Sequence, residues 1–264
     1  MAYQDILYDK RDGVATITIN RPNVLNAFRG KTVEEMLEAV RDADYDHDIG
    51  VIVLAGAGDR AFSSGGDNSD RASSEAGYSG KGVVGMPIEE LHSAIRDARK
   101  PVIAKVQGYA IGGGNVLCTV CDLTIASEKA VFGQVGPRVG SVDPGWGTAY
   151  LARCVGEKRA REIWFLCRRY SAAEAFQMGL VNKVVPAEQL DAEVETWCRE
   201  ILALSPTAIA IAKRSFNADS ENIRGIGSLG FEALALYYGT AEAKEGTAAF
   251  LEKRRPDFRA AKKG

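Results

Sequence analysis

The chain of 264 residues is 46% hydrophobic and 26% charged, an ordinary soluble composition with length enough for one large domain and a small appendage. Its 33 Lys and Arg against 35 Asp and Glu give a net charge of -2, which excludes the global basic field that holds nucleic acid or an anionic membrane. No apolar run approaches the roughly 18 residues of a membrane span and the opening residues lack the basic-then-apolar order of an export signal, so a cytoplasmic location is expected.

Residues 6–10 and 14–19 read as a hairpin about an Asp12-Gly13 turn, with Val14, Thr16 and Thr18 alternating against Ala15, Ile17 and Ile19. A helix follows, with Thr32 and Glu35 as its capping box and Val33, Met36, Leu37 and Val40 on one face. Residues 50–55 form a short buried strand. Residues 56–86 are rich in Gly, Ser and Asp without periodicity, and are expected to be a long irregular, lid-like segment. Pro87 opens a helix that turns Ile88, Leu91 and Ile95 inward, and His92 falls among them as a core histidine with satisfied nitrogens.

The strand 101–106 runs into Gly108 and the triplet Gly112-Gly113-Gly114, where another helix starts. Cys118 and Cys121 form a C-x-x-C in that apolar helix; with five Cys, two His and no second Cys pair, they read as buried, inert thiols, and no metal site is expected. Strands over 122–126 and 130–133 precede a second irregular segment, 134–147. Helices then dominate to the end, one with Ala160, Ile163, Trp164 and Cys167 on a face, another with Leu190, Val194, Trp197, Ile201 and Leu204, and a restart at Ser205-Pro206. The order predicts an α/β core over 1–205 and a helical packing or oligomerisation region over 206–264.

Two glycine-rich points each follow a strand: Ser64-Gly65-Gly66-Asp67 and the 112–114 triplet. Glycine lets main chain approach a ligand closely, and a helix N-terminus adds unpaired N–H donors with a dipole that favours negative charge. Taken alone such clusters are usually turns. Their setting is informative: Asn20-Arg21-Pro22, Asn26-Ala27, Ala61-Phe62 before Gly65-Gly66-Asp67, Gly108-Tyr109-Ala110-Ile111 before the triplet, Cys121-Asp122 and Phe132-Gly133-Gln134. In order and spacing these resemble the crotonase superfamily over most of the chain.

The resemblance implies a spiral of β-β-α turns, a homotrimer or dimer of trimers, an acyl-CoA substrate and no separate cofactor. It places the thioester oxygen between the amides of Gly66 and Gly113, an oxyanion hole that stabilises an enolate. The glutamates of the hydratases in that family fall at Val116 and Gly136 here, which leaves hydration without an evident acid or base. The run Gly140-Ser141-Val142-Asp143-Pro144-Gly145, with Gln134-Val135-Gly136-Pro137 and Arg161-Glu162-Ile163-Trp164, is similar to the naphthoate synthase branch, which closes a ring. Asn26 to Gly30, Ala55 to Arg60, Glu90-Leu91-His92, Gly112 to Leu117 and Ile211 to Asn217 are more similar still to the 2-ketocyclohexanecarboxyl-CoA hydrolase branch, which opens one. Val135 stands where bicarbonate-using naphthoate synthases carry threonine.

By that likeness the expected activity is hydrolytic ring opening of a cyclic β-keto acyl-CoA. Asp143 is expected to activate water with Ser141 beside it, and Tyr78 in the lid and Tyr238 are candidate contributors. Bland readings stand beside these: S-x-D as a turn, Tyr238 and Trp164 as helix packing, Tyr78 as an exposed loop aromatic. Gln134 and Trp164 shape the pocket. Coenzyme A contacts are implied at Val24, Leu25, Ala27, Ser64 and Asp67, and at Lys253 in the tail, otherwise a surface lysine. Ring closure is the nearest alternative. RNA binding, disfavoured by the acidic pI, and a non-catalytic assembly role are the others.

Overall fold

The protein is described by a computed structural model over residues 3–74 and 77–262. β1 (Ile6–Arg11) and β2 (Val14–Ile19) pair antiparallel from Ile6↔Ile19 to Arg11↔Val14. Asp12 and Gly13 both take positive φ at the turn, the backbone hand that matches strand twist. The chain then runs through α1 (Gly30–Tyr45), β3 (Val51–Gly56), β4 (Ala61–Ser63), α2 (Asn68–Ala72), α3 (Ile88–Asp97), β5 (Val102–Val106), β6 (Tyr109–Ile111) and α4 (Gly113–Val120). It continues with β7 (Leu123–Ser127), β8 (Val131–Gly133), α5 (Gly136–Val139), α6 (Ala149–Val155), α7 (Glu157–Leu166), β9 (Tyr170–Ser171), α8 (Ala172–Gln177), β10 (Lys183–Val185) and α9 (Leu190–Leu202). Helices α10 (Pro206–Asp219), α11 (Asn222–Tyr238), α12 (Ala241–Leu251) and α13 (Phe258–Ala261) complete it.

From β3 to β8, successive strands alternate between two sheets. One has the order β1-β2-β3-β5-β7-β10, the other β4-β6-β8-β9, so each β-β-α turn of the spiral adds a strand to both. Every residue of β3 is buried because the large sheet is covered on both faces. Val51, Val53, Ile103 and Ile125 meet Leu190, Val194 and Cys198 of α9 on one side. Ile52, Leu54 and Ala104 join the main core with α1 and α3 on the other. This stacking sets β4 beside β6, and with them the glycine turn that follows each.

Three local expectations need correction. Thr32 is not the cap of α1, which starts two residues earlier. The Thr32 hydroxyl accepts the Arg29 N–H (3.2 Å) and donates to the buried Asp5 carboxylate (2.6 Å), while Glu35 accepts the N–H groups of Gln4 (2.9 Å) and Asp5 (2.8 Å). Both side chains serve the N-terminal segment, a partner far away in sequence. Residues 56–86 also hold β4, formed by pairing with β6, and α2, capped by the Asp67 carboxylate accepting from Ser69 (3.0 Å) and Asp70 (3.4 Å) N–H groups. The segment 134–147 likewise holds α5 and a one-turn helix at Gly145–Gly147.

A buried cation ties α10 to the core. Lys213, 7% exposed, donates to the carbonyls of Ile95 (3.0 Å) and Lys100 (2.9 Å) and to the Asp122 carboxylate (2.6 Å). Lys213→Met is expected to lower unfolding free energy by about 3 kcal/mol, the low end for breaking a buried pair because Asp122 retains contact with water. An unchanged urea midpoint would contradict this. Among the described residues no helix is long and apolar enough to cross a membrane.

Candidate active site

Phe28 is the first organiser of the site. It forms a parallel bridge to Gly66, its N–H donating to Gly65 O (2.9 Å) and its carbonyl accepting the Asp67 N–H (2.9 Å). A parallel bridge uses the residues flanking Gly66, so the N–H of Gly66 itself is turned away from Phe28. Gly113, the first residue of α4, carries one of the four N–H groups that a helix cannot satisfy. Among the described residues neither amide meets a protein acceptor. Gly112 ahead of it has φ 57° and ψ -124°, a conformation that glycine alone adopts readily, and its N–H is anchored on Gly133 O (2.9 Å). The two turns touch: a Cβ on Gly65 would lie 2.8 Å from Gly113 N.

Gly66 and Gly113 line one cleft together with Ser64, Tyr78, Ser141, Asp143 and Tyr238. The candidate catalytic residues drawn from distant parts of the chain are thus neighbours. Tyr78 is not an exposed loop aromatic; it is 8% exposed, and its hydroxyl lies against Gly66, where a Cβ would come within 2.1 Å of it. Its N–H donates to Val84 O (2.8 Å), folding residues 78–84 back on themselves, and burial raises its phenol above the ordinary range. Tyr238 packs on a helix face and also lines the cleft of its own chain. It is 7% exposed among Phe231 and Leu234, yet its hydroxyl shares a 2.8 Å hydrogen bond with Ser141, and its ring meets Tyr78 edge-on at 6.3 Å.

Asp143 lines the cleft as a half-buried side chain with one hydrogen bond to the protein, from the Gly147 N–H to Oδ1 at 3.1 Å. A Cβ on Gly147 would stand 2.8 Å from that oxygen and 2.9 Å from Val116 Cγ2, so the carboxylate has an apolar neighbour. Desolvation pushes its pKa up to about 7, against the opposing pull of the Gly147 amide. Trp164 Nε1 donates to Gly147 O (2.6 Å), so this residue, read as helix packing, also braces the Asp143 loop while forming a cleft wall.

The implied coenzyme A contacts divide. Val24, Leu25 and Ala27 form a turn beside the cleft residue Ser64, whose N–H donates to Leu25 O (3.0 Å); Leu25 and Asn26 both take positive φ there, and none of these turn residues lines the cleft itself. Asp67 is committed elsewhere, capping α2 and pairing with Arg21 at 3.0 Å. Lys253 lies in a separate groove with Arg138, Arg254 and Arg255 and does not line the cleft within one chain. Among the described residues no group of His, Cys, Asp and Glu could hold a metal, and Cys118 and Cys121 are buried free thiols. His92 is fully buried as expected, but neither nitrogen finds a protein partner, and burial lowers its pKa to about 3.

One residue of the cleft escaped the sequence reading. Arg71, 5% exposed, sits in α2 within a segment expected to be irregular, and its guanidinium lies 5.1 Å from the Tyr238 ring centre. A single arginine after Gly-Gly-Asp carries no local pattern that would mark it.

The enoyl-CoA hydratase/isomerase family profile matches residues 9–261. An enoyl-CoA hydratase structure from Mycobacterium avium subsp. paratuberculosis K-10 is 31% identical, with a TM-score of 0.86 over 97% of this chain and 99% of that one. An enoyl-CoA hydratase subunit from Geobacillus kaustophilus HTA426 is 34% identical, with a TM-score of 0.74 over 97% and 98%. An enoyl-CoA hydratase/isomerase from Pseudoalteromonas atlantica T6c is 27% identical, with a TM-score of 0.85 over 96% and 99%. With this sequence match, the alternating two-sheet spiral and the cleft between its glycine turns, the chain belongs to the enoyl-CoA hydratase/isomerase (crotonase) superfamily of enzymes acting on acyl-CoA thioesters.

Proposed function

We propose that this enzyme hydrolyses the ring of a cyclic β-keto acyl-CoA such as 2-ketocyclohexanecarboxyl-CoA, giving the mono-CoA ester of an open-chain dicarboxylic acid. The observation that carries the reading is Asp143. It is a cleft carboxylate with a pKa near 7, poised to take a proton from water at neutral pH, while the two positions where hydratases hold glutamate are Val116 and Gly136. Gly136 could not accept a longer side chain without moving the loop, since even a Cβ would lie 2.5 Å from Ser141 O.

In this reading water attacks the ring ketone as Asp143 removes its proton, with Ser141 and Tyr238 holding the adduct. The bond between the former ketone carbon and the α-carbon breaks. Its electron pair enters the thioester, whose oxygen takes hydrogen bonds from the Gly66 and Gly113 amides, and a proton then returns to the α-carbon. Tyr78, kept neutral by burial and placed over Gly66, is the proposed donor, and the proton that Asp143 took from water restores the phenol to close the cycle. Val135 speaks against the ring-closing alternative: its Cγ2, 3.3 Å from where a Cβ on Gly112 would stand, offers no hydroxyl to a bicarbonate.

We further propose that residues 206–264 assemble a trimer or dimer of trimers, because Ile226, Leu229 and Leu236 leave α11 with an exposed apolar edge, and that Lys253 reaches the coenzyme A phosphate of a neighbour. The reaction is tested by incubating the enzyme with 2-ketocyclohexanecarboxyl-CoA in oxygen-18 water. Pimeloyl-CoA labelled in its new carboxylate is expected; recovery of unchanged substrate would remove the hydrolase assignment.

A further inference from the structure

Arg71 is an unusual resident of an acyl pocket. A guanidinium is a permanent cation with five N–H donors, and a cation taken out of water is costly unless a negative partner compensates it. Arg71 is 5% exposed and lines the cleft. Its Nη groups donate to Gly140 O (3.4 Å), to Val139 O and to Thr247 Oγ1 (2.6 Å), three neutral acceptors. Its Nε–H has no protein acceptor, and among the described residues no carboxylate forms an ion pair with it. Asp67 is taken by Arg21, and Asp70, its neighbour in sequence, accepts from Ser79. The guanidinium carbon lies 5.1 Å from the centre of the Tyr238 ring, whose hydroxyl shares a 2.8 Å hydrogen bond with Ser141.

We propose that Arg71 supplies the anion subsite of the acyl pocket, receiving through Nε the carboxylate that ring opening creates at the far end of the acyl chain. The inference rests on the ring-opening reading and deepens it. The intact ring ends in a neutral ketone; attack by water puts negative charge on that oxygen, and cleavage leaves it in a carboxylate. A cation that has no counterion among the described residues gains its partner as this charge develops, so it binds the later states of the reaction better than the substrate, which is what accelerates a step. Arg71 is therefore a specificity residue for acyl groups that end in, or acquire, a carboxylate.

The test compares two CoA esters of equal carbon count, pimeloyl-CoA, which ends in carboxylate, and heptanoyl-CoA, which ends in methyl. Calorimetric titration of the full-length enzyme is expected to show pimeloyl-CoA binding about tenfold more tightly or better, the usual worth of one charge-assisted contact. In Arg71→Gln that preference is expected to vanish while heptanoyl-CoA affinity stays within about twofold, a selectivity change that a merely structural role for Arg71 would not produce. Since Arg71 also ties α2 to α5 and α12, the variant can fail to fold; the wild-type comparison needs no variant and decides by itself. Equal affinity of the two esters for the wild type overturns the proposal, as does an undiminished preference in a folded Arg71→Gln. If the labelled-water experiment shows no ring opening but the preference stands, the hydrolase reading falls and the anion subsite remains. Ring opening with equal affinities removes the subsite alone.

Discussion

Asp143→Asn is expected to lower turnover of a cyclic β-keto acyl-CoA by about 10²–10⁴-fold, the span usual for loss of a positioned general base. Asparagine keeps an oxygen that can accept the Gly147 N–H, which now runs 3.1 Å to Oδ1, so the loop is expected to hold its shape and CoA-ester affinity to change little. What disappears is the proton acceptor. The pH profile separates this from loss of packing: a base whose pKa is raised by burial to about 7 is protonated and inactive below that value and competent above it. Wild-type kcat/KM should therefore rise as pH increases through about 7 and level off, and the residual activity of Asp143→Asn should lack that step. A variant retaining the step, or losing less than tenfold, would assign the water to another base.

How much of this site could be read from the chain depended on the length scale of the forces involved. The alternation in residues 14–19 and the apolar run 50–55 marked strands, found at 14–19 and 51–56, because burial acts residue by residue along an element. β4 escaped, since three residues such as Ala61–Ser63 become a strand only by lying beside β6, nearly fifty positions away. Thr32 and Glu35 satisfied a local capping pattern, yet they bond to Gln4 and Asp5, a tertiary choice that the pattern does not contain. The glycine turns were visible as spacing, but their meaning came from likeness to a family, because nothing local brings residue 66 to residue 113. Asp143 was likewise chosen by likeness. Its raised pKa has a separate origin in the burial of the loop behind Trp164 and Val116, which only packing creates. Arg71 was missed for the same reason: its oddity is a buried Nε–H with no acceptor among the described residues, a property of surroundings that no local pattern carries.

Gly66→Ala is expected to reduce turnover by about 10²–10³-fold, the usual consequence of spoiling one oxyanion donor, with a much smaller effect on thermal stability. The added methyl would stand 2.1 Å from the Tyr78 hydroxyl and 2.8 Å from Cζ, so either the tyrosine leaves the cleft or the turn carrying the Gly66 amide retreats. The first response removes the proposed proton donor and the second a donor to the thioester oxygen. Both raise the barrier, and of the main core only its edge at Tyr78 and Val84 is disturbed. Global stability should survive because the strain falls on the segment around Tyr78, which is held by its N–H to Val84 O and by contacts of Ser79 with Asp70, well away from the stacked strands β3, β5 and β7. Replacing Tyr78 by alanine in the same background separates the alternatives. If the loss comes only from collision, the double variant should recover to the level of Tyr78→Ala alone. If the amide has also moved, it should remain lower. Turnover of Gly66→Ala within tenfold of wild type would show that the thioester oxygen is held by some other donor, and the enolate chemistry proposed for this cleft would lose its foundation.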